Sequence, residues 1–104
     1  MDMIANLQAM LARGQDTPLL RYSLGNEYSK QQDYAAALPH YARAVELDPL
    51  YSAGWKAYGK ALAANLQTSE AIVAYQQGIA AAQQHGDIQA AKEMNVFLKR
   101  LQKG

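Results

Sequence analysis

Apolar residues recur along the chain at the three- and four-residue spacing of helices buried along one face. Ile4, Leu7, Met10 and Leu11 form the first such stripe, over residues 2–13, with Asp2 as its cap and Gly14 as its stop. Asp16 and Thr17 precede Pro18, and a capping residue ahead of a proline opens a helix that carries Leu24 and Tyr28 and reaches Lys30. Gln31-Gln32-Asp33 reads as a polar turn, with Asp33 capping a third helix from Tyr34 to about Leu47. Asp48-Pro49 ends that helix, because proline disfavours helical geometry in the residue before it. Ser52 is the expected cap of a fourth helix bearing Trp55, Tyr58 and Leu62, which turns at Asn65-Leu66-Gln67. A fifth helix starts near Thr68 and stops before Gly86, a residue suited to the left-handed terminating conformation. Ile88, Ala91, Met94 or Asn95, Leu98 and Leu101 mark a sixth. The pattern predicts an all-α chain.

The pattern also repeats. A shift of 34 residues lays Pro18–Tyr51 on Ser52–His85, placing Gly25 on Gly59, Ala37 on Ala71 and Tyr41 on Tyr75. Leu38 falls on Ile72, Ala44 on Gly78 and Val45 on Ile79, while Leu24 and Tyr28 meet Tyr58 and Leu62. A glycine within a helix costs roughly 0.5–1 kcal/mol relative to alanine. Gly25 and Gly59 therefore point to a close approach, for which Ala37 and Ala71 on the returning helices are the expected partners. Tyr28, Tyr41, Tyr58 and Tyr75 are expected to fill the wedges between helix pairs.

The run Leu24-Gly25-x-x-Tyr28 followed by Ala37, Tyr41, Ala44 and Pro49 resembles the tetratricopeptide repeat pattern. So does Trp55-x-x-Tyr58-Gly59-x-x-Leu62 followed by Ala71 and Tyr75, with Asp48-Pro49-Leu50-Tyr51 as the junction between units. The resemblance implies a solenoid of helical hairpins in one domain over residues 1–104. It divides into an N-terminal half-repeat helix within 1–14, full repeats at 18–51 and 52–85, and a capping helix at 87–103. Three residues depart from the pattern. Arg21 stands where the first repeat would carry an aromatic residue, which predicts looser packing there. Gln83 replaces a closing proline, so the fifth helix is free to reach His85. Pro39 lies inside a helix, a placement that commonly costs ~3 kcal/mol.

Composition narrows the function. The 104 residues hold ten Lys and Arg against nine Asp and Glu, a net charge of +1 that gives no basic field for nucleic acid or a membrane surface. The absence of Cys excludes disulfides, thiolate metal sites and a Cys nucleophile. His40 and His85 are too few for a metal site; His40 is expected to face outward and His85 to close a helix. Ser23, Ser29, Ser52 and Ser69 have no His or Lys arranged to activate them, so no catalysis and no cofactor are expected. The stretch between Glu70 and Asp87 is uncharged yet too polar to cross a bilayer, and residues 1–13 lack a signal's basic start, so the default expectation is a cytoplasmic location, with a periplasmic chain whose signal has been removed as the alternative.

The resemblance implies a protein–protein interaction module of adaptor or co-chaperone type, in which the first helices of the hairpins line a concave groove for a partner's peptide or helix. Tyr22, Asn26 and Ser29 form the groove stripe on the first of these helices, and Lys56, Lys60 and Ala63 that on the next. Carried to the last helix, the same slots are Ala90, Met94 and Phe97. The predicted peptide-binding residues are Tyr22, Asn26, Ser29, Lys56 and Lys60, with the two amines side by side for an acidic partner. Some members of the family grip a chaperone's terminal carboxylate with Lys and Asn side chains. Asn26 matches one of these, but Tyr22 and Ala57 occupy the slots of two others. Lys99, Arg100 and Lys103 read first as favourable charge at a helix C-terminus. The rival expectations are a self-associating assembly unit, monomer or weak homodimer, and a domain that belongs to a longer protein.

Overall fold

The computed structural model describes residues 2–104, and over them the fold is an all-α helical repeat. Six helices follow in order: α1 (Met3–Ala12), α2 (Pro18–Lys30), α3 (Tyr34–Leu47), α4 (Ser52–Ala64), α5 (Thr68–His85) and α6 (Ile88–Lys103). Local chemistry sets most of their ends. Asp2, Thr17, Asp33 and Asp87 each accept a backbone N–H three residues on, the bond that satisfies an otherwise orphaned donor in the first turn. Gly86 closes α5 in the left-handed conformation, with φ of 80°. Gln32 and Leu66, one repeat apart, also have positive φ, so the two hairpins turn alike without a glycine. Among the described residues no helix is long and apolar enough to cross a membrane.

Helix α2 pairs with α3 and α4 with α5, while α1 lies on α2 and α6 on α5. Leu7 of α1 is buried with Leu20 and Leu24. At the other end Ala90, Met94 and Leu98 of α6 are buried with Tyr75 and Ala82. Between them Tyr41 and Tyr75 are fully sequestered rings, while Tyr28 and Tyr58 are half-buried at the edges. Burial pushes the Tyr75 hydroxyl up to about 12.

Five local expectations change. The nearest neighbours of the helix glycines are aromatic rings rather than Ala37 and Ala71. A methyl group on Gly59 would lie 2.5 Å from Cε1 of Tyr75, and one on Gly25 would strike the ring of Tyr41 in the same way. Each glycine is the seat of an aromatic ring, which explains its helix-propensity cost better than backbone contact does. Ser52 is not a cap: Tyr51 holds that position without a side-chain bond, and Ser52 Oγ donates to Asp87 Oδ2 at 2.8 Å. That bond ties the start of α4 to the start of α6. Pro39 leaves α3 unbroken, because Pro39 and Ala35, whose carbonyl loses its partner, are both exposed to water.

Arg21 does not leave its end of the first repeat loose. Asp16 receives Arg21 Nε at 2.7 Å and Arg43 Nε at 3.1 Å, and Arg43 also pairs with Glu46. The bond from Arg21 holds the Asp16 carboxyl below its usual range; burial opposes it, and the bond from Arg43 adds to the lowering. Nor does His40 simply face outward. It is half-buried, stacks parallel to Tyr28 with ring centroids 5.7 Å apart, and sits with Nδ1 3.2 Å from Arg21 Nη1. A guanidinium only donates, so Nδ1 accepts and the imidazole is neutral.

A pH dependence follows from this contact. Burial first, and Arg21 second, depress the pKa of His40 below its ordinary 6.5, with Asp16 opposing. The unfolded chain therefore takes up a proton at a pH where the folded chain does not. Stability from this site is present above about 6.5, the usual histidine value, and is lost as pH falls below it. Thermal midpoints between pH 7.5 and 5.5 should decline in the parent and less in His40→Gln. Equal slopes would show that the stacked, neutral imidazole does not contribute.

Candidate functional site

Tyr22, Asn26 and Ser29 project from one face of α2, and Lys56 and Lys60 from one face of α4. All five line a single open cleft of about 390 Å³. Helix α3 adds Tyr34 and Tyr41, and α4 adds Ala53, Ala57, Ala61 and Ala64 as a wall of methyl groups. Tyr34 was not among the predicted residues; its place at the first turn of α3, beside the turn after α2, is the signal that marks it. A neighbouring cleft of about 520 Å³ shares Asn26 and Ser29 and is walled by Met3 and Leu7, extending the concave surface to α1.

The floor is preorganised. Tyr41 donates its hydroxyl to Asn26 Oδ1 at 2.7 Å and lies 3.0 Å from Ser29 Oγ. Burial raises the Tyr41 pKa, with the Ser29 bond opposing, so the hydroxyl remains a donor at neutral pH. Tyr22 stands between the rings of Tyr51 and Tyr41, at centroid distances of 5.2 and 6.3 Å. These contacts hold an aromatic face at one lip of the cleft.

The two lysines differ from the expected pair of free amines. Lys56 Nζ is 3.0 Å from Glu93 Oε2 of α6, and that amine holds the Glu93 carboxyl below its usual range. Lys60 makes no ion pair among the described residues. Its Nζ sits 5.7 Å from the centre of the Phe97 ring, with Arg100 Cζ at 6.0 Å from the same ring. Of the slots carried to α6, none lines the cleft: Phe97 packs against Tyr75 and meets the cleft only through Lys60, and Ala90 and Met94 are buried. Met94 is fully buried, its sulfur over Gly78, because α6 turns its apolar stripe onto α5.

Comparison with known proteins gives the family and the fold. The tetratricopeptide repeat profile matches residues 18–51, the first hairpin. A TPR repeat-containing protein of Pseudomonas aeruginosa is 50% identical over 99 residues, covering 95% of this chain and 94% of that one. The chain belongs to the tetratricopeptide repeat family. The solution structure of a Bordetella parapertussis protein superposes with a TM-score of 0.84 at 44% identity, covering 99% of this chain and 90% of that one. A TPR domain protein of Salinibacter ruber gives a TM-score of 0.76 at 29% identity, over 83% of this chain and 96% of that one. TPR domains are in general non-catalytic protein–protein interaction modules, and the cleft lies on the inner helices of this TPR array.

Proposed function

We propose that this TPR domain is a cytoplasmic adaptor that holds a segment of another protein in the cleft between α2 and α4, acting without catalysis of its own. The observation that carries the reading is the convergence of Tyr22, Asn26, Ser29, Lys56 and Lys60, from two helices separated by α3, on one solvent-open cleft. An aromatic lip, a fixed amide and an unpaired amine make a surface that offers both contact area and specificity. Lys60 favours a carboxylate on the partner, while the bond to Glu93 removes much of the attraction expected of Lys56. Both lysines lie off the core, so substituting them should leave the helices intact.

The test is comparative affinity capture from the source cell with three proteins: the parent, Tyr22→Ala with Lys60→Ala, and Gln76→Ala on the exposed face of α5. A protein retained by the parent and by Gln76→Ala, but depleted by the groove variant, supports the reading. The same proteins captured by all three would move the interaction off the cleft.

A further inference from the structure

We propose that the second repeat carries a docking point apart from the cleft: a slot between α4 and α5 that takes an arginine side chain of a partner protein. Trp55, Tyr58 and Leu62 of α4 and Glu70, Val73 and Ala74 of α5 line an open cavity of about 360 Å³ there. At about 3.6 residues per turn, the three α4 residues lie on the side of that helix opposite Ala53, Ala57 and Lys60, which face the cleft. The two cavities share no residue, so the slot does not depend on the cleft being occupied.

The 34-residue register shows what the slot lacks. One unit earlier, Trp55 falls on Arg21, Ala74 on His40, and Gln77, at the slot's edge, on Arg43. In the first repeat the chain fills these positions itself: His40 stacks on Tyr28, and Arg21 bridges His40 and Asp16. In the second the imidazole is replaced by a methyl group and both guanidinium groups are missing, while Val73 is 54% exposed.

The walls that remain suit a planar cation with an apolar stem. The rings of Trp55 and Tyr58 stand with centroids 6.3 Å apart, and the indole N–H is fixed on the Pro49 carbonyl at 2.8 Å. Glu70 is the one charged residue lining the slot. It forms no ion pair among the described residues, and Gln67 engages only its Oε2. Burial first, and the Glu70 charge second, raise the Tyr58 pKa, which agrees with a carboxylate standing near that ring. An arginine would lay its stem on Leu62 and Val73, its guanidinium against the rings, and an N–H toward Glu70 Oε1. A leucine in the same place would leave the carboxylate unmatched.

The probes are three short acetylated and amidated peptides of Ala, Gly and Ser around one central residue: arginine, its uncharged isostere citrulline, or leucine. Each is titrated to several millimolar into the ¹⁵N-labelled full chain. Trp55 is the only tryptophan, so its indole N–H reports on the slot unambiguously. The arginine peptide should shift that signal and the amides of Glu70–Gln77 saturably, leaving those of α2 in place. The citrulline and leucine peptides should bind about tenfold more weakly, the loss expected of one ion pair and one cation–π contact together. Glu70→Gln should remove the preference for arginine over citrulline. Val73→Arg, one turn on from Glu70, should fill the slot from within and abolish binding; both positions are exposed, so the helical circular dichroism should not change. Equal binding of arginine and citrulline, tighter binding of leucine, or indifference to Glu70→Gln would overturn the proposal. So would an indole signal that no peptide moves, or one that moves with protein concentration alone and so places a second copy over the slot.

Discussion

Gly59→Leu should lower stability by on the order of 1–3 kcal/mol, the cost of forcing extra methylenes into a filled core. At roughly 4–8 °C per kcal/mol for a domain of this size, the thermal midpoint should fall visibly. The ring of Tyr75 has nowhere to go: it is 2% exposed, and already a single methyl on Gly59 would lie within 2.8 Å of three of its atoms. Tyr75 packs in turn against Phe97 and α6, so displacing it strains the next layer as well. The coupling gives a sharper check. In a Gly59→Ala background, Tyr75→Leu should cost less than it does alone, because the smaller side chain relieves the clash. Strictly additive costs, or a Gly59→Leu variant as stable as the parent, would contradict the ring-on-glycine contact.

Deleting residues 87–104 should make the chain dimerise or aggregate more than the parent does. Helix α6 covers Tyr75 and Ala82 and packs against Trp55, Ile72 and Ile79, so its loss exposes one contiguous apolar face. Asp87 leaves with it, and Ser52, buried at the start of α4, loses its hydrogen-bond partner. Light scattering across a concentration series reads the outcome directly. A truncated chain that stays monomeric with an unchanged thermal midpoint would show that α6 is not the cover of the array.

These two predictions differ in how much of them a reader of the sequence could have reached. The helices were legible because their ends are local: Asp2, Thr17 and Asp33 each act on an N–H three residues away, and Gly86 acts on its own φ. The special character of Gly25 and Gly59 was legible too, but their partner was not. Spacing pointed to Ala37, whereas ring size selects Tyr41, four residues further along α3. Contacts between distant elements were hidden in the same way. Ser52 looks like a helix cap until Asp87, 35 residues later, is seen to receive its hydroxyl. Arg21 looks like a lost aromatic until Asp16, Arg43 and His40 gather around it.

The cleft was readable to the extent that it obeys the repeat. Tyr22, Asn26 and Ser29 on α2, and Lys56 and Lys60 on α4, follow from helix geometry and the 34-residue register, and they meet. On α6 two patterns competed for Met94. The apolar stripe placed it in the core and the repeat register placed it in the groove; the stripe prevails, since burying a large side chain stabilises by roughly 1.5–3 kcal/mol and the register alone confers nothing. The same rotation brings Glu93 to Lys56, which is why the pair of free amines becomes one ion pair and one free amine.

The most direct measurement is calorimetric titration of the captured partner segment into the parent, Lys60→Ala and Tyr22→Ala at ionic strengths of about 0.1 M and about 1 M. Exposed charges are screened over about 10 Å at the lower strength and about 3 Å at the higher. Lys60→Ala should weaken binding at low salt, with the difference shrinking at high salt, whereas Tyr22→Ala should weaken it by a similar factor at both, as lost aromatic contact does. Unchanged affinity in both variants at both strengths would contradict the account and remove the cleft between α2 and α4 as the place where the partner is held.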